Sequence, residues 1–189
     1  MPRIRPLDPA DSEGSNREIF QQLLNERGHI PNMMLTVGHR PEHLRTMVAH
    51  MSTIMRNGSV PPLLKELIAV RVSRINACDH CLVSHTALAT RLGATDRQIE
   101  ALNDLSGAGE AEVAGFPADC LGTAPTEPPA DAGEHPDAPF TPAQRAALLF
   151  AEQMTMGAGR VPDATFLALR EQFDPAEIVE IASVVGLLN

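Results

Sequence analysis

The sequence of 189 residues contains no tryptophan and no tyrosine, and its aromatic content is only 3%. Hydrophobic residues nevertheless make up 43% of the chain. The core must therefore be built from leucine, isoleucine, valine, alanine and methionine. Cores of this kind suit packed helices better than a β-sandwich, so the composition favours an all-α fold.

Positive charge is also scarce, because 15 Lys and Arg face 24 Asp and Glu and give a formal net charge of −9. No basic patch is present to neutralise phosphates, which argues against nucleic acid as a partner. No apolar run reaches about 18 residues, which argues against a membrane span. The first residues, MPRIRPLDPADSEG, lack the apolar stretch of a signal peptide.

Cysteine is rare as well, with three in the chain, an odd number unlike the framework of a disulfide-rich secreted protein. We therefore predict a cytoplasmic protein whose thiols are accessible to cellular reductants.

Signals for the start and the end of helices recur along the chain. Prolines precede apolar helical runs at positions 41, 61, 62, 142 and 175, and glycines follow such runs at 28 and 93. Thr95 and Gln98 have the spacing of a capping box. No segment alternates with the period of a strand. The pattern predicts an all-α helical bundle made of two loosely repeated halves.

One domain is expected over residues 1–189. Residues 1–15 are rich in proline and aspartate and are predicted to form an N-terminal arm. Residues 106–140 are rich in glycine, proline and acidic residues and are predicted to form a long loop or linker. Cys120 lies in this segment, and we assign it no role.

The stretch RINACDHCLVSH, residues 74–85, concentrates the reactive side chains. If a helix starts near Cys78, then Cys78, Cys81 and His85 fall within roughly 60° of one another around its axis. His80 projects away from this face and is expected to be a solvated or core-edge histidine. Three interpretations fit two cysteines and one histidine: three ligands of a zinc ion, a pair of small buried hydrophobes, or a redox dithiol.

Glu66 lies in the preceding run PPLLKELIAVRVSRI, residues 61–75, which is apolar around most of its circumference and is therefore expected to be buried on more than one side. A carboxylate there needs a partner. One interpretation is an ion pair with Lys65, Arg71 or Arg74. The other is a base that holds His85 or a thiol proton.

The segment KELIAVRVSRINACDHCLVSHTALATRLG resembles the core motif of the AhpD-like alkylhydroperoxidases in the carboxymuconolactone decarboxylase superfamily. The family pattern is a glutamate, a C-x-x-C pair about a dozen residues later, and a histidine four residues after the second cysteine. Glu66, Cys78, Cys81 and His85 match it position by position. The specific match covers residues 61–93.

The resemblance implies an all-helical homotrimer or hexamer that reduces small hydroperoxides without a bound cofactor or metal. A dithiol reductant, either a lipoyl protein or a thioredoxin-like protein, would restore it. Cys81 would be the peroxidatic thiol and Cys78 the resolving thiol, with Glu66 and His85 as a proton relay that His80 assists. The helix dipole alone would instead favour Cys78 as the more acidic thiol.

Two alternatives belong to other classes. One is an acid–base enzyme of the decarboxylase type within the same superfamily, which does not need the dithiol. The other is a non-enzymatic protein that senses redox state or binds zinc. Assembly into oligomers is also expected from the sequence, because helices that are apolar almost all round are hard to bury in a single chain of this length.

Overall fold

The computed structural model describes residues 3–56, 58–103, 138–157 and 160–189. Within these ranges the regular structure is helical and no strand occurs, so the all-α prediction is confirmed. A turn of 3-10 helix covers Pro9–Asp11. The α-helices are α1 Gly14–Arg27, α2 Asn32–Val37, α3 Pro41–Arg56, α4 Pro62–Ile75, α5 Asp79–Arg91, α6 Asp96–Ala101, α7 Pro142–Met156, α8 Asp163–Gln172 and α9 Pro175–Leu188.

Local sequence explains where several of these helices begin. Proline occupies the first turn of α4, α7 and α9, where its missing N–H costs no hydrogen bond. The predicted capping box at Thr95 is confirmed, since its hydroxyl accepts the Gln98 N–H at the start of α6. The same arrangement begins α7 at Thr141 and α9 at Asp174.

The chain divides into two compact units, Met1–Asn57 and Gly58–Asn189. The first unit contains α1, α2 and α3 around buried Phe20, Leu23, Met34 and Leu44. The predicted N-terminal arm contains the 3-10 turn, and the Leu7 N–H donates to the Leu35 carbonyl at 3.2 Å. The expectation of one domain over the whole chain stays a prediction.

The second unit is built around α4. Every residue of this helix from Leu64 to Ser73 is buried, because α5, α7 and α9 all pack against it. This confirms that the helix is covered on more than one side. The buried residues of α4 include the charged side chains of Lys65, Glu66 and Arg71. Glu66 belongs to the candidate site.

The predicted loop or linker lies largely outside the described residues, which omit 104–137, and Cys120 falls in that omitted part. Among the described helices, none combines the length and the apolarity that a membrane crossing requires.

Candidate active site

A tight turn joins α4 to α5 and places both cysteines. Asn76 ends α4, and Ala77 follows in the left-handed region with φ 51°. The Cys78 N–H then donates to the Ser73 carbonyl at 2.9 Å. Asn76 is also anchored from outside the turn, since its Nδ2 donates to Asn189 Oδ1 at 2.9 Å. The helix therefore breaks after Ile75, and Ala77, a non-glycine residue in a costly conformation, lies in the break.

Cys78 and Cys81 form a disulfide across the first turn of α5, with their Cα atoms 5.4 Å apart. Cys78 is the N-cap residue, and its Sγ accepts the Cys81 N–H at 3.4 Å. Both cysteines are half-buried. Sulfur at this position lies where unpaired helix N–H groups favour negative charge.

Glu66 and His85 meet across the interface between α4 and α5. The Nδ1 of His85 lies 2.7 Å from Glu66 Oε2, and Glu66 is only 8% exposed. A carboxylate oxygen accepts, so Nδ1–H is the donor in this pair. The bond fixes the orientation of the ring and leaves Nε2 as the nitrogen that can exchange a proton.

The basic residues considered as partners of Glu66 have acidic or amide partners of their own. Lys65 forms an ion pair with Glu180 of α9. Arg71 pairs with Glu152 of α7, with Nη2 2.6 Å from the carboxylate oxygen. Because these basic side chains pair elsewhere, the interpretation that remains for Glu66 is that it holds His85.

Arg74 contacts the end of α6, because it bonds to the side chain of Asn103 and donates to the Ile99 carbonyl at 3.3 Å. Burial, and then the positive charge of Arg71, lower the pKa of Arg74 below its usual value. Arg74 therefore belongs to the packing of α6 and not to the dithiol turn.

His80 is exposed on α5, as the helical spacing predicts, and it is not part of the Glu66–His85 pair. Among the described residues, no group of three His, Cys, Asp or Glu is arranged to hold a metal ion. The sequence reasoning overlooked Ser73, a buried hydroxyl on α4. The spacing of seven residues places this serine on the same helix face as Glu66, but the spacing alone does not show that its hydroxyl lacks a hydrogen bond.

Residues 41–118 match the model of the carboxymuconolactone decarboxylase family. The chain is also 25% identical over 150 residues to the uncharacterized protein YdfG of Bacillus subtilis (strain 168), covering 79% of this chain and 82% of that protein. The matched family segment contains all four positions of the glutamate, dithiol and histidine pattern.

Solved structures share the fold. A peroxidase-related protein with an alkylhydroperoxidase AhpD core, from Ralstonia eutropha JMP134, has a TM-score of 0.73 and 23% identity over 98% of this chain and 84% of its own. The debrominase Bmp8, solved in complex with 2,3,4-tribromopyrrole, has a TM-score of 0.72 and 19% identity over 100% of this chain and 84% of its own. One fold thus carries proteins with different named activities.

Proposed function

The chain belongs to the AhpD-like carboxymuconolactone decarboxylase superfamily, and from this premise we propose that it is a thiol-dependent reductase of small hydroperoxides. The observation that carries the proposal is a Cys78–Cys81 disulfide at the start of the helix that contains His85. The Nδ1 of this histidine donates to the Glu66 carboxylate. A reversible dithiol and an oriented acid–base group are the two parts that thiol-based peroxide reduction needs. Sulfur carries the electrons, so the proposal requires no further cofactor.

In the first step the Cys81 thiol gives its proton to Nε2 of His85, directly or through water, while Glu66 stabilises the imidazolium. The Cys81 thiolate attacks the outer peroxide oxygen. An S–O bond forms and the O–O bond breaks. The departing alkoxide takes the proton from His85 and leaves as an alcohol, so that Cys81 becomes a sulfenic acid.

In the second step Cys78 attacks the Cys81 sulfur. The S–S bond forms, the S–O bond breaks, and the hydroxyl leaves as water with the proton that Cys78 gave up. An external dithiol, on a lipoyl protein or a thioredoxin-like protein, then reduces the disulfide by two exchanges and is itself oxidised. His80, exposed beside Cys81, assists proton transfer on the solvent side.

Assembly and location are part of the same proposal. Val83 on α5 and Val179 on α9 are 72% and 66% exposed, but single apolar side chains are ordinary on a protein surface, so the expected assembly rests on the family resemblance. We expect a homotrimer or hexamer in the cytoplasm, and light scattering that gave a monomer would contradict this expectation.

Two other activities rest on the same residues. The Glu66–His85 pair could act as an acid–base group on a small lactone acid, as in a decarboxylase, without the dithiol. The dithiol could instead deliver its electron pair to a carbon–bromine bond, giving a carbon–hydrogen bond, bromide, a proton and the disulfide. The full-length similarity in fold to a debrominase favours including this second reaction.

The test is a count of free thiols in the reduced protein before and after one equivalent of an organic hydroperoxide, followed by peptide mapping. We expect the loss of two thiols and a Cys78–Cys81 disulfide, with Cys120 still free as the internal control. Bromopyrrole in place of hydroperoxide tests the debrominating reaction in the same assay.

Retention of all thiols with hydroperoxide would overturn the proposal. A rapid loss with bromopyrrole would then favour the debrominating reaction, and turnover of a lactone acid the decarboxylase-type reaction. One tightly held zinc ion per reduced chain, with unreactive thiols, would favour the non-enzymatic interpretation.

A further inference from the structure

Ser73 carries a buried hydroxyl that has no partner among the described residues. The residue is 3% exposed, and its Oγ makes no hydrogen bond within that part of the chain. Six other hydroxyls inside helices donate to the carbonyl four residues earlier, namely those of Thr36, Thr46, Thr53, Thr90, Thr155 and Ser183. A buried polar group left unpaired costs free energy, so this exception calls for an explanation.

The position of Ser73 on α4 relates it to the dithiol. It follows Glu66 by seven residues, about two turns of helix, so both residues lie on the face that packs against α5. Because α4 and α5 run in opposite directions, Glu66 meets His85 at one end of their interface, and Ser73 lies beside Cys78 at the other. The Glu66–His85 contact marks the first end, and the hydrogen bond from the Cys78 N–H to the Ser73 carbonyl holds Ser73 and Cys78 together at the second.

We propose that the Ser73 hydroxyl donates a hydrogen bond to the Cys78 sulfur when the disulfide is open. In the disulfide, Cys78 Sγ is bonded to Cys81 and is a weak acceptor. Reduction frees the side chain to rotate about χ1 and leaves a thiol. When this thiol loses its proton, the resulting thiolate is a much stronger acceptor. Ser73 would then be the second donor to this sulfur, beside the Cys81 N–H.

The consequence is a lower pKa for the Cys78 thiol in the reduced protein. A lower pKa also makes Cys78 the better leaving group when the reducing dithiol attacks Cys81. In that exchange a new S–S bond forms between the donor and Cys81, and the electron pair of the old bond leaves on Cys78. The inference rests on the dithiol of the proposed function, but it does not require peroxide to be the oxidant.

The experiment compares Ser73→Ala with the unaltered protein in redox equilibrium with dithiothreitol, which is oxidised to its cyclic disulfide as the protein gains two thiols. We expect the equilibrium constant for reduction to fall about three- to tenfold, the range of one lost hydrogen bond. Tenfold corresponds to about 30 mV for a two-electron couple. The pH dependence of alkylation at Cys78, read by peptide mapping, should shift to higher pH.

Two variants control the interpretation. Ser183→Ala removes a helical hydroxyl that already donates to its own backbone. This variant should leave the redox equilibrium constant and the pH dependence of alkylation at Cys78 unchanged. Ser73→Thr keeps the hydroxyl and should stay within about twofold of the unaltered protein. A threonine variant that shifted as far as the alanine variant would show that shape, and not the hydroxyl, is responsible, and would overturn the inference.

Unchanged equilibrium and unchanged alkylation in Ser73→Ala would also overturn it, even if the variant were less stable to heat. Neither reading depends on peroxide turnover. A protein that fails to reduce hydroperoxide but shows both shifts therefore refutes the proposed function and supports this inference, and the converse result refutes the inference alone.

Discussion

Helix α4 carries two kinds of buried ionic contact on different faces. Lys65 and Arg71 pair with acids on α9 and α7, and Lys65 is only 1% exposed. Glu66, the next residue after Lys65, pairs instead with a histidine on the neighbouring helix. Arginine keeps its charge throughout the physiological range, whereas the ordinary pKa of histidine lies within that range. If the proposed function holds, adjacent buried charges on one helix serve the fold and the chemistry separately.

The largest expected loss of activity comes from a change in the dithiol. Cys81→Ser should abolish hydroperoxide turnover, because a hydroxyl cannot form the sulfenic acid or the disulfide. The circular dichroism spectrum and melting temperature should stay close to those of the reduced protein. A coupled peroxidase assay measures the loss, and Cys120→Ser is the control that should keep full activity. Full activity in Cys81→Ser would refute the mechanism.

His85→Ala comes next and tests the titratable pair itself. We expect kcat/KM for hydroperoxide to fall by about two to four decades if His85 is the acid–base group. The variant also leaves the Glu66 carboxylate, which is 8% exposed, without its partner, so a loss of stability is expected as well and activity is compared per folded molecule. Steady-state kinetics across pH measure the effect. His80→Ala is the comparison variant and should lose less activity, because His80 only assists; an equal loss in both variants would contradict the assignment.

Loss of one of the other ion pairs should lower the stability of the protein and leave its activity unchanged. Glu180→Gln leaves the Lys65 ammonium buried without its counter-charge, and such a loss costs about 3–5 kcal/mol of unfolding free energy. Denaturant titration followed by circular dichroism measures it. The activity of the molecules that remain folded should be unaffected. If Glu180→Gln had normal stability but no activity, the Lys65–Glu180 pair would serve the reaction and not the fold.

Gly58→Ala should lower the unfolding free energy by less than Glu180→Gln does, with a loss of about 1–3 kcal/mol. Its φ of 105° disfavours a side chain, and a Cβ there would collide with the Glu180 carboxylate. Gly93 is the matched control, because its φ of 101° is similar while its surroundings are open. The difference between the two alanine variants isolates the collision, and equal losses would show that backbone strain is the whole effect.

Local signals in the sequence predicted much of this fold. Proline, glycine and the Thr95 capping box mark helix ends because they act within one turn of chain, and the structure confirms them. Glu66 and His85 could be brought together as candidates because the motif spans a single helical hairpin.

The long-range pairs could not be predicted in the same way. Arg71 and Glu152 are 81 residues apart, and only the packing of α7 on α4 makes one glutamate the partner among several candidates. Ser73 was overlooked for a different reason. A lone serine among apolar residues is common in helices, and only the three-dimensional structure shows that its hydroxyl lacks the usual bond to its own backbone.

The Cys78–Cys81 disulfide joins two residues that are three positions apart. A cross-link restricts the unfolded chain more when it closes a longer loop, rising with the logarithm of the loop length, and one turn is a very short loop. The chain-entropy relation gives roughly 2 kcal/mol for such a loop, against about 4.7 kcal/mol for one of a hundred residues. Breaking the bond therefore changes the unfolded ensemble little, and α5 stays docked through its packing on α4. The cross-link can open and close repeatedly while the hairpin that holds it remains folded.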